Sequence, residues 1–159
     1  VISILSKFVG FIREITLAYF YGASTVSDAY LIALTIPSVI FAFVGTGVAT
    51  TYIPLYSSIV QEKGVSRADR FTNNLLNFNF LFCTFIVLIG LIFTVPLVKL
   101  FAVGFSGETL KLAVFFTRIT LFGIYFSAVI YIFSGYLQIK HNYLIPAAIG
   151  FPFNFIIII

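Results

Sequence analysis

The sequence predicts an all-α protein, a polytopic transmembrane bundle of about five helices. Hydrophobic residues make up 61% of the 159 and charged ones only 9%, with a mean hydropathy of +1.15, whereas a soluble domain is roughly half apolar and a quarter charged. The apolar residues fall in long runs between short polar turns, and at about 20 residues per crossing the chain accommodates about five of them. Tyrosines gather at the ends of the runs, Tyr19 and Tyr21 at one boundary and Tyr52, Tyr56, Tyr136 and Tyr143 at the other, as expected of aromatic belts at the two interfaces.

Composition also excludes several classes. The formal charge of +4 is scattered between apolar runs and forms no stripe of the kind a phosphate backbone needs, so no nucleic-acid partner is expected. The single Cys83 permits no intrachain disulfide and leaves the redox compartment undetermined. The first run is not a signal peptide, because Arg13-Glu14 interrupts its apolar core and no small-residue cleavage site follows. An odd helix number, a first residue Val1 and a last run ending Phe155–Ile159 read as cuts through a longer protein.

The first helix is expected over residues 2–20, with Gly22 just past its end. Ser6, Lys7, Gly10, Arg13 and Glu14 fall within an arc of about 120° at 100° per residue. A charge at the bilayer centre costs about 2.5–3.5 kcal/mol even on insertion scales, so such residues usually face a cavity or a bundle interior. The competing reading is an interfacial helix, or Lys7 and Arg13 snorkelling to a headgroup. Arg13 and Glu14 sit near the middle of the span, where snorkelling reaches least.

The second helix is expected over residues 25–52, capped by Ser24 or Thr25. Asp28 lies in its first turn, where an acid also serves simply as a partner of the helix dipole, worth under about 1 kcal/mol. Asp28, Thr35 and Thr46 share nearly one azimuth when the kink expected at Pro37 is ignored. Gly45-Thr46-Gly47 either loosens the backbone beside a cavity or permits close helix packing.

A polar loop, Ser57–Arg70, precedes a third helix over 71–98 that starts with Asn73, Asn74 and Asn77. A turn at Ala102–Gly107 leads to a fourth helix over 108–137, with Arg118 at the outer interface because Ile119–Leu137 alone supplies a span. Lys140-His141-Asn142 turns the chain into a fifth helix, 143–159, and the lone His has no partners for a metal. Lys63, Arg67, Arg70 and Lys140 on one side against Lys99 and Lys111 on the other place the N-terminus in the cytoplasm. The charged first two helices read as a transporter's substrate site: Lys7, Arg13, Glu14 and Asp28, with Ser6 and Thr46 beside them.

The order Ser6-Lys7, Gly10-Phe11, Arg13-Glu14, Tyr21-Gly22-Ala23-Ser24, Ser27-Asp28-Ala29-Tyr30 and Ile36-Pro37 resembles the opening helices of the MurJ (MviN) family, the lipid II flippases of bacterial cell-wall synthesis. A second likeness lies in Gly135-Tyr136-Leu137-Gln138, Tyr143, Ile145-Pro146-Ala147 and Asn154. The resemblance implies the multidrug/oligosaccharidyl-lipid/polysaccharide exporter fold, two helical bundles around a central cavity, with this chain as most of the first. It implies that Arg13 and Glu14 engage or gate a lipid-linked diphosphate, that Lys7 replaces a cavity Arg and that Asp28 matches a functionally important acid. A guanidinium offers a rigid fork to phosphate oxygens, and Lys7 a point charge. The implied partners are a lipid-linked saccharide, lipid II or similar, membrane lipid and the remaining helices of the same polypeptide, in the bacterial cytoplasmic membrane. No catalytic residue or cofactor is expected; coupling to a cation or to the membrane potential is, at about 2.3 kcal/mol per charge per 100 mV.

The sequence departs from the family where an adjacent basic pair is common, here Phe41-Ala42, and where an acid precedes glycine, here Thr46-Gly47. Those departures leave open another lipid-linked polysaccharide or teichoic-acid precursor as cargo, a cation-coupled drug exporter, and a non-transporting scaffold. A membrane enzyme fits poorly, since five dispersed acids and one His make no catalytic cluster.

Overall fold

The computed structural model describes residues 2–150 and 154. Regular structure among them is entirely helical: α1 (Ile2–Tyr21), α2 (Thr25–Lys63), α3 (Val65–Ile92), α4 (Thr94–Phe101), α5 (Gly107–Thr120), α6 (Gly123–Ile139) and the short α7 (Leu144–Ala148). The all-α membrane bundle read from composition is what forms. By length and composition α2 and α3 can each cross a membrane, and α5 and α6, bent by 41° at their joint, are long and apolar enough only when taken together. α1 has 20 residues, enough to cross, but carries three charges.

Two expected helices are each interrupted, so five become seven. The third, placed at 71–98, breaks at Phe93. Pro96 has no N–H to return to the carbonyl of Ile92, one turn back, which weakens the ladder at this point. The fourth, placed at 108–137, bends at Leu121–Phe122. Of the fifth, placed at 143–159, residues 144–148 form α7, and most of its remainder lies outside the described residues.

The expected loop Ser57–Arg70 is also corrected. α2 runs on to Lys63 and α3 starts at Val65, with Gly64 alone as the joint. Gly64 has φ +80° and ψ 167°, a backbone open only to glycine. Packing holds both polar helix ends together: Tyr52 and Tyr56 are each 2% exposed and lie with Ala68 and Ile132 in one cluster. The Tyr52 hydroxyl pairs with that of Thr72 at 2.7 Å, and the Tyr56 hydroxyl donates to Asp69 Oδ1 at 2.8 Å. These two tyrosines, expected in an interfacial belt, pack between helices, whereas Tyr19, Tyr21 and Tyr143 are exposed.

α2 is the axis of the bundle, packed along its length on α5, α6 and α3. Three clusters succeed one another along it: Ala29, Ile36, Val98 and Ala113; then Phe41, Cys83, Val87, Leu121, Ile124 and Ala128; then the tyrosine cluster. Many of the buried positions are small, while Phe78, Leu81, Phe85, Leu88 and Ile92 on α3 are exposed. That inverted pattern suits a lipid solvent, where bulky apolar groups face the acyl chains and small ones let helices approach. Gly45 belongs to it, since a Cβ there would lie 3.0 Å from the Tyr131 ring, whereas Gly47 has open space. Close packing, and no break in α2, is what Gly45 serves.

α2 also runs unbroken through Pro37, which is buried. Proline strands the carbonyl of Ala33 one turn earlier. Thr120, at the end of α5, donates its hydroxyl to that carbonyl at 2.6 Å. Thr120→Val is expected to lower the stability of the full-length protein by about 1–3 kcal/mol, because the carbonyl is left unpaired. Thr120→Ser keeps the donor and is expected to melt close to wild type; thermal unfolding in detergent checks both.

Candidate functional site

The turn between α1 and α2 is short and builds the site. Gly22 adopts φ +54° and its N–H closes on the carbonyl of Ala18 at 3.0 Å. Ser24 then caps α2, its hydroxyl accepting the Ser27 amide at 3.2 Å. The last turns of α1 thus stand beside the first turns of α2, and a cavity of about 630 Å³ opens between them. Glu14, Leu17, Ala18 and Tyr21 line it from α1, Val26, Ser27, Asp28, Tyr30 and Leu31 from α2, and Phe116 from α5.

Glu14 and Asp28, predicted from sequence, meet at this cavity. Arg13 sits behind Glu14 and forms an ion pair with it through Nη2 and Oε1. The Arg13 side chain is 19% exposed, against 50% for Glu14. Its Nε is buried without a hydrogen-bond partner among the described residues. A guanidinium carries five N–H donors, so the pair leaves donors in reserve. Tyr30 lies within electrostatic reach of both members.

The other predicted residues lie elsewhere. Lys7 is exposed on α1 and, among the described residues, pairs with no acid. Ser6 packs against Gly150, and its carbonyl accepts from Asn154 Nδ2 at 3.5 Å, which makes it a helix-packing residue. Thr46 is exposed and returns its hydroxyl to the Ala42 carbonyl at 2.7 Å; Thr35 does the same to Leu31 at 2.8 Å. The polar line along α2 thus contributes only Asp28 to the cavity. Phe41, where the family commonly has a base, is 3% exposed and packs on Tyr131, with ring centroids 5.4 Å apart.

Sequence reasoning missed Tyr30, Ser27 and Phe116 as lining residues. Tyr30 and Ser27 flank Asp28 in the first turns of α2, a signal that was there to be used. Phe116 had none, because only the packing of α5 on α2 delivers it. Among the described residues no group of three or more His, Cys, Asp or Glu is placed to hold a metal.

A family model described as "Lipid II flippase MurJ" matches residues 17–159. The chain is similar to the "Probable lipid II flippase MurJ" of Aquifex aeolicus, 32% identical over 120 residues, covering 74% of this chain and 23% of that protein. It is also similar to the "Lipid II flippase MurJ" of Thermosipho africanus, 30% identical over 155 residues, covering 97% of this chain and 32% of that one. A Buchnera aphidicola relative of the same description as the Aquifex protein is 28% identical over 149 residues. No solved structure gives a significant match. The chain matches 23% to 32% of the length of these relatives. Arg13 and Glu14 precede the stretch that the family model matches, while Asp28 falls inside it. With nearly all of its helices covered by that match, the chain belongs to the lipid II flippase MurJ family.

Proposed function

We propose that the full-length protein is a flippase that carries a polyprenyl-diphosphate-linked saccharide, lipid II first among them, from the cytoplasmic to the outer leaflet of the bacterial cytoplasmic membrane by alternating access. One observation carries the reading: α1 holds a largely buried Arg13, still rich in donors and tied to Glu14, which lines a cavity within a bundle of membrane helices. A buried cation beside a cavity is a phosphate-oxygen receptor. Glu14 holds the guanidinium while the site is empty and yields it when diphosphate arrives. The lipid tail stays in the bilayer while the two bundles rock, and no covalent step is needed. Membrane potential or a coupled cation supplies the energy. Lys63, Arg67 and Arg70 at the α2–α3 joint and Lys140 after α6 support a cytoplasmic N-terminus.

A second reading, a different lipid-linked glycan, is favoured by Phe41, which buries a phenyl ring in the bundle core where family members commonly carry a base. One experiment separates the two. The full-length parent is expressed in a bacterium depleted of its own lipid II flippase, with membrane abundance measured. Restored growth is the expected result; failure of a well-expressed parent removes lipid II as cargo and leaves the other glycans or a scaffold role.

A further inference from the structure

The cavity between α1 and α2 has walls unlike those of a diphosphate site. Its volume of about 630 Å³ is in the range of small-molecule sites, about 300–1,000 Å³. Glu14 and Asp28 bring carboxylates to it, and no Lys or Arg is among the described residues that line it. Glu14 has one oxygen engaged by Arg13, and Asp28 pairs with no cation among the described residues. Ionised carboxylates only accept hydrogen bonds, so these two acids favour groups rich in O–H and N–H over phosphate oxygens. Tyr21, Tyr30 and Phe116 add aromatic rings, and Ser27 and the two tyrosines add hydroxyls.

A pyranose answers both features. Its hydroxyls donate to carboxylates in strong charge-assisted bonds, and the C–H face of its ring packs on an aromatic face as other apolar surface does. We infer that this cavity receives the saccharide of the cargo, with the diphosphate held next to it by Arg13. The inference rests on the flippase reading above. It gives the two members of the ion pair different duties: Arg13 holds the charge of the cargo, and Glu14, with Asp28, reads its sugar.

The test measures binding to the full-length protein in detergent with two probes, lipid II and sugar-free undecaprenyl diphosphate. Asp28→Asn is expected to weaken lipid II binding about tenfold or more, the effect of one hydrogen bond to a charged group, and Tyr30→Leu by about twofold to tenfold, the effect of one neutral hydrogen bond; both are expected to leave undecaprenyl diphosphate binding unchanged. Retained binding of the second probe shows that a variant is folded. Equal loss on both probes at wild-type melting temperature puts the diphosphate in this cavity and overturns the inference; so does no loss on either. Should either variant melt below wild type, Tyr30→Phe, which removes only a hydroxyl, is measured against the same two probes: selective loss of lipid II supports the saccharide site, and equal loss or none overturns it. A wild-type protein that binds neither lipid defeats the flippase reading itself, whereas one that binds lipid II with both variants unaffected defeats only the saccharide site.

Discussion

Full-length protein carrying Arg13→Ala, at wild-type membrane abundance, is expected to lose all rescue of a flippase-depleted bacterium. Arg13 is largely buried, and Glu14 holds it through a single guanidinium nitrogen. Two bonds from such a group to a diphosphate are each worth about 1.5–3 kcal/mol, so alanine is expected to weaken cargo binding by about two orders of magnitude or more. Lysine keeps the charge but not the planar fork, and Arg13→Lys is expected to restore growth only in part. Alanine at 13 also leaves Glu14 without its partner inside a membrane helix, a cost that has nothing to do with cargo. The double variant Arg13→Ala/Glu14→Ala removes that cost and is still expected to fail, since no donor has been put back. Full rescue by Arg13→Ala would count against transport through this site and in favour of a scaffold.

The second large effect is expected at a packing position away from the cavity. Gly135→Leu is expected to destabilise the bundle by about 1–3 kcal/mol or more, as overpacking of a closely filled interior does. Even a Cβ at 135 would lie 2.9 Å from Tyr52 Cδ1 and 3.3 Å from its Cε1. The ring cannot swing aside freely, because its hydroxyl is tied to Thr72 at 2.7 Å and it stands within the cluster that joins α2, α3 and α6. Gly123 offers the control: nothing lies within 4 Å of a Cβ built there. Gly123→Ala is expected to be neutral or slightly stabilising, since alanine favours the helix by up to about 1 kcal/mol. Thermal unfolding of the three purified full-length proteins decides the matter, and equal melting temperatures would show that α6 does not pack on Tyr52 as described.

Elements whose cause is local were legible from the residues. Gly22 ends α1 and Ser24 caps α2 because both act within one turn of the backbone. The low charge and high hydropathy demanded a membrane bundle, since nothing else buries so many apolar side chains in so short a chain. The ion pair of Arg13 and Glu14 and the meeting of Glu14 with Asp28 followed from helix position and a short turn. Breaks were harder to see. Pro96 stands just past a break while Pro37 and Pro54 lie inside α2, and the carbonyl of Ala33 that Pro37 strands is met by Thr120, 87 residues away in sequence.

The membrane class, the turn between α1 and α2 and the charged pair were thus decided by the sequence alone, because each rests on composition or on neighbours within a few residues. Only the tertiary structure decided which polar groups share a cavity. It packed Tyr52 and Tyr56 between helices, assigned Ser6 to helix packing, left Thr46 bonded to its own helix and brought Phe116 to the site. In a lipid solvent most side chains are apolar whether they face inward or outward, so periodicity carries little information about which face is buried. Close contact between small residues on different helices settles that choice, and it exists only once the helices have met.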